Sequence, residues 1–284
     1  IILGQVASIL IAVTGVTSEE LANRGFRAPT LQLFFNYVIL GTCGAVVWWW
    51  WGGKLKMAWW AYAVLAFFDL EANAVVVLAY QYASIQSVTL LDCLSVPGTM
   101  VLTWWFLGAK YTRWHLLAAL LCLCGIGVLV GYDSVQGITA GKNEVLGDLL
   151  CVLGAALYSG SNVVEEFLLK KMGRMAPLLA MLGGFGTFFA IVQIAIFERD
   201  EVIALQRVGD GTSILLIVAF VIALAIFYVV AGLVLGEVGG GGAAAFNISL
   251  LTSDALAIFC AILIFHTPLH WAYFVSLAIT VIGL

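Results

Sequence analysis

Acidic residues lie inside apolar stretches of this sequence that are long enough to cross a bilayer. An ionised carboxylate at the centre of a bilayer costs several kcal/mol, so such residues face a bundle interior or a water-filled cavity. All twelve lysines and arginines lie outside these stretches or at their edges, and we expect the acids to have no basic partner. The acids well inside the stretches are Asp69, Glu71, Asp92, Glu165, Glu166 and Asp254, with Glu19 near the end of another.

The spacing of an α-helix aligns these acids with amide, hydroxyl and phenol groups. Asp69, Asn73 and Tyr80 share one face of a predicted helix. Asp69 and Asp148 are interpreted as carboxylates near helix N-termini, where the helix dipole favours negative charge. Pro97 interrupts the backbone hydrogen bonding of the fourth apolar run. The candidate solute ligands are Glu19, Glu71, Asn73, Tyr80, Tyr82, Asp92, Ser95, Tyr158, Asn162, Glu166, Asn247 and Asp254.

An acid-lined interior without basic residues suits a cationic or protonatable solute. Burial also lets a carboxyl group exchange a proton near neutral pH, so proton coupling is a second use of the same groups. A phosphate-bearing solute is a poorer match, because phosphates are bound by Lys or Arg. The sequence has no His-Glu-x-x-His, Gly-x-Ser-x-Gly or phosphate-binding Gly-rich motif. We therefore predict no enzyme activity, cofactor, metal site or nucleic-acid partner.

The composition indicates which solvent surrounds these residues. Hydrophobic residues make up 63% of the 284 residues and charged residues 10%, with a mean hydropathy of +1.10. Soluble domains carry about 25% charged residues. Too little polar surface is available to cover a water-exposed globule, so the chain is predicted to be an integral membrane protein. The six cysteines all fall in apolar runs and are interpreted as small core residues.

Ten apolar runs predict an all-α fold with ten transmembrane helices, since a helix needs about 20 apolar residues to cross the hydrocarbon. The eighth run has almost nothing polar and is expected to face lipid or pack against a neighbour. Basic residues in the loops favour a cytosolic N-terminus, and the tryptophans at 48–51 and 59–60 are interpreted as interface anchors. The chain begins and ends inside apolar runs, so we expect further residues at both ends. The runs are 1–21, 30–51, 58–82, 86–108, 112–131, 146–170, 176–197, 212–236, 242–265 and 270–284.

Weak internal similarity suggests two halves of five helices each. Residues 87–91 align with 247–251, and the paired acids at 19–20 align with those at 165–166. An odd number of helices in each half makes the repeats inverted, as in many secondary transporters. The predicted units are a first five-helix repeat at 1–131, a linker at 132–145 and a second five-helix repeat at 146–284.

Several longer motifs are recognisable in order along essentially the whole chain. They include Asp69-Leu70-Glu71-Ala72-Asn73, Ala79-Tyr80-Gln81-Tyr82, Ser87-Val88-Thr89-Leu90-Leu91-Asp92-Cys93, Glu165-Glu166 and Gly184-Phe185-Gly186-Thr187. Together they resemble the F branch of solute carrier family 35, in the drug/metabolite transporter superfamily. The resemblance implies ten helices in two inverted five-helix repeats, cytosolic termini and a central substrate cavity. It also implies import of nucleobase- or nucleoside-like compounds such as queuine and queuosine, whereas relatives in other branches carry nucleotide sugars.

The sequence thus predicts a secondary transporter that works by alternating access, with helices 1, 3, 4, 6 and 9 around a midplane cavity. Three tyrosines of the candidate set would contact a planar ring, and Asp92, Glu71 and Glu166 would receive its positive charge or a coupling proton. Two alternatives stay open, a nucleotide-sugar antiporter of the Golgi and a non-transporting membrane scaffold or receptor. The protein is expected in the plasma membrane or in the Golgi and other endomembranes, with its oligomeric state left open.

Overall fold

The computed structural model of the chain describes residues 2–52, 54–83, 85–113, 117, 120–121, 124–125, 144–172, 174–200, 211–237, 250, 256, 271, 274–275 and 278–279. These residues form α-helices and turns, and no strand occurs among them. Seven helices of the described part are long and apolar enough to cross a membrane. The prediction of an all-helical, multi-pass membrane protein is therefore confirmed.

The helix bounds follow the apolar runs of the sequence, with ends that differ by a few residues. The helices are α1 (Ile2–Asn23), α2 (Pro29–Trp51), α3 (Trp59–Ala79), α4 (Ile85–Asp92), α5 (Ser95–Leu107), α6 (Glu144–Met172), α7 (Met175–Phe197) and α8 (Gly211–Glu237). The predicted helices at 112–131, 242–265 and 270–284 lie largely outside the described residues. The count of ten helices, the two repeats and the linker at 132–145 therefore stay predictions.

The fourth predicted helix is interrupted, and the interruption has a local cause. α4 ends at Asp92 and α5 begins at Ser95, with a two-residue turn between them. Pro97 has no N–H, and its ring crowds the carbonyl of the residue four positions earlier, which is Cys93. That carbonyl instead accepts a hydrogen bond from the N–H of Val96 at 3.1 Å. The carboxylate of Asp92 consequently stands at a break in a membrane-spanning segment.

Within the described residues, the long helices pack in three main pairs. The most extensive contact joins α2 to α7, followed by α3 with α6 and α1 with α8. α5 also packs against α6, and α8 against α2. Each main pair joins a helix of the first predicted half to a helix of the second. The largest buried hydrophobic cluster accordingly draws residues from both halves.

Glycines bring the backbones of α2 and α7 into direct contact. A Cβ atom placed on Gly41 would lie 3.0 Å from the backbone carbonyl carbon of Gly183, and one placed on Gly44 would lie 2.9 Å from the Cα of Ala180. Small residues permit such approaches between membrane helices, where dispersion contacts and not hydrophobic burial drive association. The middle of the α2–α7 pair is thus held by backbone packing.

The N-terminus of α2 is capped by a residue that follows α7. α2 begins at Pro29, and the preceding Ala28 has no side chain that can cap a helix. The buried carboxylate of Glu198 instead accepts hydrogen bonds from the N–H groups of Thr30 and Leu31, at 2.7 and 2.9 Å. A negative charge at this position also complements the positive end of the helix dipole.

The C-terminus of α2 is held by a residue that precedes α7. The guanidinium of Arg174 donates hydrogen bonds to the carbonyl oxygens of Trp51 and Gly52, at 3.3 and 3.0 Å. A cation complements the negative end of the dipole, as the carboxylate does at the other end. Two side chains of opposite charge that flank α7 therefore form hydrogen bonds with the two ends of α2.

Tryptophans cluster on the outside of the molecule at helix ends. Trp49, Trp50 and Trp51 near the end of α2, and Trp59 and Trp60 at the start of α3, are all exposed. Tryptophan rings at the membrane–water boundary expose their surface to lipid headgroups. Their exposure agrees with the interpretation of these residues as interface anchors.

Candidate functional site

The carboxylate of Asp69 lies at the centre of a buried hydrogen-bond network. It accepts a hydrogen bond from the hydroxyl of Tyr37 at 2.7 Å, from that of Ser161 at 3.3 Å, and from that of Tyr228. These donors come from α2, α6 and α8, while Asp69 belongs to α3. Only 6% of Asp69 is exposed. The network therefore joins four helices that belong to both predicted halves.

The position of Asp69 corrects an interpretation made from the sequence. α3 begins at Trp59, so Asp69 lies in the middle of the helix and not near its N-terminus. The dipole effect is confined to the first turn and does not act there. Hydroxyl donors hold the carboxylate instead. Asp148 does lie near the start of α6, which begins at Glu144, as the sequence predicts.

Asn73 and Tyr158, two of the predicted ligands, extend this network. The amide nitrogen of Asn73 donates to the backbone carbonyl of Asp69 at 2.8 Å and to the hydroxyl of Tyr228 at 3.1 Å. The amide oxygen of Asn73 accepts a hydrogen bond from the hydroxyl of Tyr158 at 2.9 Å. The side chain of Asn73 thus links a residue of α6 to the carboxylate network on α3.

The carboxylate of Asp92 lies beside the same network. One of its oxygens is buried and has no hydrogen-bond partner among the described residues. Leu91 and Cys93, the two neighbours of Asp92 in the chain, belong to a buried cluster against which Tyr80 and Tyr158 pack. Tyr80 lies directly after α3, and Tyr158 lies on α6. The structure therefore brings three predicted ligands, Tyr80, Asp92 and Tyr158, into one group around an acid with an open acceptor.

The remaining predicted ligands are placed on several elements. Ser95 is buried at the start of α5, where its carbonyl accepts a hydrogen bond from the hydroxyl of Ser159 at 3.1 Å. Glu19 is buried on α1. Tyr82 and Asn162 are half-buried, in the turn after α3 and on α6. The predicted ligands that lie outside the described residues are Asn247 and Asp254.

Glu71 and Glu165 are two further acidic residues of the membrane-spanning helices. Glu71 is half-buried and accepts a hydrogen bond from the amide of Gln193 on α7 at 3.3 Å. Glu165 is buried on α6, and one of its oxygens has no partner in the described part of the chain. It lies one turn after Ser161, whose hydroxyl donates to Asp69. Glu165 therefore adds a second acid to the surroundings of the network, whereas Glu71 pairs with α7.

Glu166 has a basic partner, which corrects the expectation that the membrane acids have none. Its carboxylate is fully buried and pairs with the ammonium of Lys170 in the last turn of α6. Residues four apart are neighbours on a helix, and the long lysine stem lets the charged group reach back along it. The lysine belongs to the same membrane-spanning segment as the acid.

Sequence reasoning missed Tyr37, Tyr228 and Asn36. α8 does pack against its neighbours, but its nearly apolar sequence also carries Tyr228, whose buried hydroxyl needs a partner. Asn36 is fully buried, and neither polar atom of its side chain has a partner in the described ranges. One turn earlier, the amide of Gln32 donates to the hydroxyl of Ser18 at 2.9 Å. The four-residue spacing of Gln32 and Asn36 is the signal that indicates a polar face on α2.

Comparison with known families covers the whole chain. The family model of solute carrier family 35, in its F branch, matches residues 1–284. The chain belongs to solute carrier family 35. It is 35% identical to solute carrier family 35 member F2 of Mus musculus, over 100% of this chain and 76% of that protein. The Xenopus tropicalis member F2 is 33% identical over 99% and 74%, and a Schizosaccharomyces pombe member of the family is 30% identical over 99% and 56%.

A protein of known crystal structure shares the fold of this family member. The two superpose with a TM-score of 0.67 at 16% identity, over 99% of this chain and 93% of the other. At that identity the likeness concerns the fold alone. Family membership, together with the seven long apolar helices of the described residues, identifies the chain as an integral, multi-pass membrane protein of a solute carrier family. The resemblance drawn from the sequence motifs is therefore confirmed.

Proposed function

We propose that this member of solute carrier family 35 moves a small polar solute by alternating access. The solute class that we propose is nucleobase- or nucleoside-like, such as queuine or queuosine, and its transport is coupled to a proton. The observation that carries the proposal is the buried acceptor of Asp92, which has no partner in the described part of the chain and lies between two residues, Leu91 and Cys93, of the cluster against which Tyr158 packs. An open acceptor of this kind is costly unless a solute, a proton or water occupies it.

The proposed site combines one acid with several aromatic rings. Asp92 receives the positive charge of the solute or a coupling proton, while Tyr80, Tyr82 and Tyr158 contact its planar ring. Glu71 and Glu166 already interact with Gln193 and Lys170, and we therefore assign the charge-binding role to Asp92 ahead of them. The amide and hydroxyl ligands proposed around this group, together with the outlying acids, are Asn73, Ser95, Asn162, Asn247, Glu19 and Asp254.

The helix pairing supports the proposed inverted repeats. α4 and α5 together are the fourth predicted helix, so α6, α7 and α8 are the sixth, seventh and eighth predicted helices. If each helix of the first half corresponds to the predicted helix five positions later, α1 corresponds to α6, α2 to α7 and α3 to α8. The contact of α1 with α8 then corresponds to the contact of α6 with α3, and the α2–α7 contact corresponds to itself. A two-fold axis that passes through the α2–α7 contact generates this pattern. The pairing favours repeats at 1–131 and 146–284 that rock around a site between them.

Uptake into proteoliposomes tests the solute class and the site together. Radiolabelled queuine and a nucleotide sugar are offered in parallel at two external pH values. We expect saturable uptake of queuine, and we expect Asp92→Asn to reduce it about tenfold or more, because a hydrogen bond to a charged group contributes about 1.5–3 kcal/mol. Asp200→Asn, which makes the same change at an exposed acid beyond the end of α7, is the matched control and should retain uptake.

The possible outcomes separate the solute from the site. Nucleotide-sugar exchange without queuine uptake contradicts the proposed solute class. Queuine uptake that is equal in the wild type and in Asp92→Asn contradicts the proposed role of Asp92. Equal uptake at both pH values contradicts proton coupling and leaves the solute class supported.

A further inference from the structure

A cavity of about 580 Å³ opens where α5 and α6 end. α5 contributes the Phe106 side chain and the chain that follows it at 107–109. α6 contributes Glu166, Phe167, Lys170 and Lys171 from its last two turns. The cavity therefore combines two aromatic rings with two lysines and one acid, away from the Asp92 group.

The cavity lies at the boundary between membrane and water. The membrane-spanning segments Leu90–Leu107 and Val145–Lys171 both end at it. Trp104, Trp105 and Phe106 are exposed beside it, as aromatic residues at the level of the lipid headgroups are. With the N-terminus predicted in the cytosol, this end of the bundle faces the cytosolic leaflet, which carries the anionic phospholipids.

The basic groups of the cavity are only partly neutralised. Glu166 has no exposed surface and pairs with Lys170. Lys171 forms no ion pair with a described residue, and its Nζ lies 5.8 Å from the centre of the Phe167 ring. Two lysines against one carboxylate leave one net positive charge on the wall. Because Lys171 is exposed, its ammonium group is accessible to a ligand from the membrane surface.

We propose that this cavity binds an anionic phospholipid of the cytosolic leaflet through the net negative charge of its headgroup, which a zwitterionic headgroup does not have. Lys171 contacts the group that carries this net charge while Lys170 stays paired with Glu166, and the rings of Phe106 and Phe167 contact the first carbons of the acyl chains. The C-terminus of α6 carries a partial negative charge of roughly one half, which disfavours a bound anion. If Lys171 only compensated this partial charge, it would stabilise the helix and would not distinguish between lipids.

Native mass spectrometry of the purified full chain measures this binding directly. The lipids are phosphatidylserine and phosphatidylcholine with identical acyl chains, and inorganic phosphate is offered as a competitor. We expect Lys171→Ala to weaken phosphatidylserine binding about fivefold and to leave phosphatidylcholine binding unchanged, since a lysine near the headgroups contributes about 1 kcal/mol. Lys54→Ala, an exposed lysine beyond the end of α2 on the same predicted side, is the control and should bind both lipids as the wild type does.

Four outcomes overturn the proposal. Equal affinity of the wild type for the two lipids shows that there is no preference for the anionic lipid. If Lys54→Ala loses as much affinity for phosphatidylserine as Lys171→Ala does, the preference comes from diffuse surface charge. Saturable displacement of phosphatidylserine by inorganic phosphate at millimolar concentration assigns the site to a soluble phosphate. A lower melting temperature of Lys171→Ala with an unchanged lipid preference assigns Lys171 to the carbonyl end of α6 alone.

Discussion

Replacing Glu198 with alanine tests whether α2 depends on a cap that α7 supplies. The N–H groups near the start of a helix have no partner in the helix, and a side chain at the N-cap position usually accepts from them. In α2 that position is Ala28, and Pro29 removes only one of the donors. The carboxylate of Glu198 accepts from Thr30 and Leu31 instead. The Glu198→Ala change therefore leaves two backbone donors without their acceptor.

The two hydrogen bonds fix the size of the expected effect. A hydrogen bond to a charged group contributes about 1.5–3 kcal/mol, and loss of an N-cap costs about 0.5–2 kcal/mol. Glu198 is 6% exposed, so water replaces the lost acceptor only in part. We expect Glu198→Ala to lower the free energy of unfolding by about 2–4 kcal/mol. Glu198→Gln keeps one acceptor without the charge, and we expect a loss of about 1–2 kcal/mol.

Thermal unfolding of the purified protein in one fixed detergent measures these changes. At about 2 °C per kcal/mol for a chain of this size, Glu198→Ala should melt roughly 4–8 °C below the wild type. The control is Glu20→Ala, because Glu20 is partly exposed and pairs with Arg24 at 2.7 Å within one turn of α1. Exposed pairs of this kind contribute below about 1 kcal/mol. Equal melting temperatures of the two alanine variants would refute the cap argument.

Two further predictions concern the middle of the bundle. Gly183→Ala should lower the free energy of unfolding by about 1–3 kcal/mol, and with it the melting temperature, because its Cβ would overlap the backbone of α2. Gly184→Ala, whose Cβ meets nothing within 4 Å, is the control. Equal shifts in the two variants contradict the backbone contact. Tyr228→Phe and Tyr37→Phe should each destabilise by about 1–3 kcal/mol, and a double-mutant cycle should show coupling above about 0.5 kcal/mol because both hydroxyls donate to one oxygen of Asp69. Strict additivity of the two changes contradicts a shared acceptor.

The described spans were predictable from the sequence because the bilayer fixes the length of an apolar helix. The break between α4 and α5 was also accessible, since Pro97 removes a hydrogen bond at a known distance from itself. Periodicity placed Asn73 and Tyr158 on polar faces of their helices, and both belong to the observed network. It did not identify Tyr228 or Tyr37, because the spacing within one helix does not reveal which neighbouring helix faces it.

The charges at helix ends show a second limit of the sequence. Lys170 stands at the edge of its span, and an edge lysine is usually assigned to the aqueous side. Its stem nevertheless turns its ammonium group back to Glu166, one turn earlier. The capping of α2 by Glu198 joins residues that are 168 positions apart. Such contacts depend on the tertiary arrangement, and a local pattern contains no information about them.

The contact between α2 and α7 constrains how the proposed rocking of the two halves can occur. Its backbones touch at Gly41 and Gly183, and charged side chains close both ends. Separation of this pair would expose backbone groups that lipid cannot satisfy. The hydroxyl groups around Asp69 come from three other helices, and water or a solute can replace each of them as a donor. For the proposed alternating access, we therefore expect the α2–α7 contact to persist and the Asp69 network to exchange its hydrogen-bond donors.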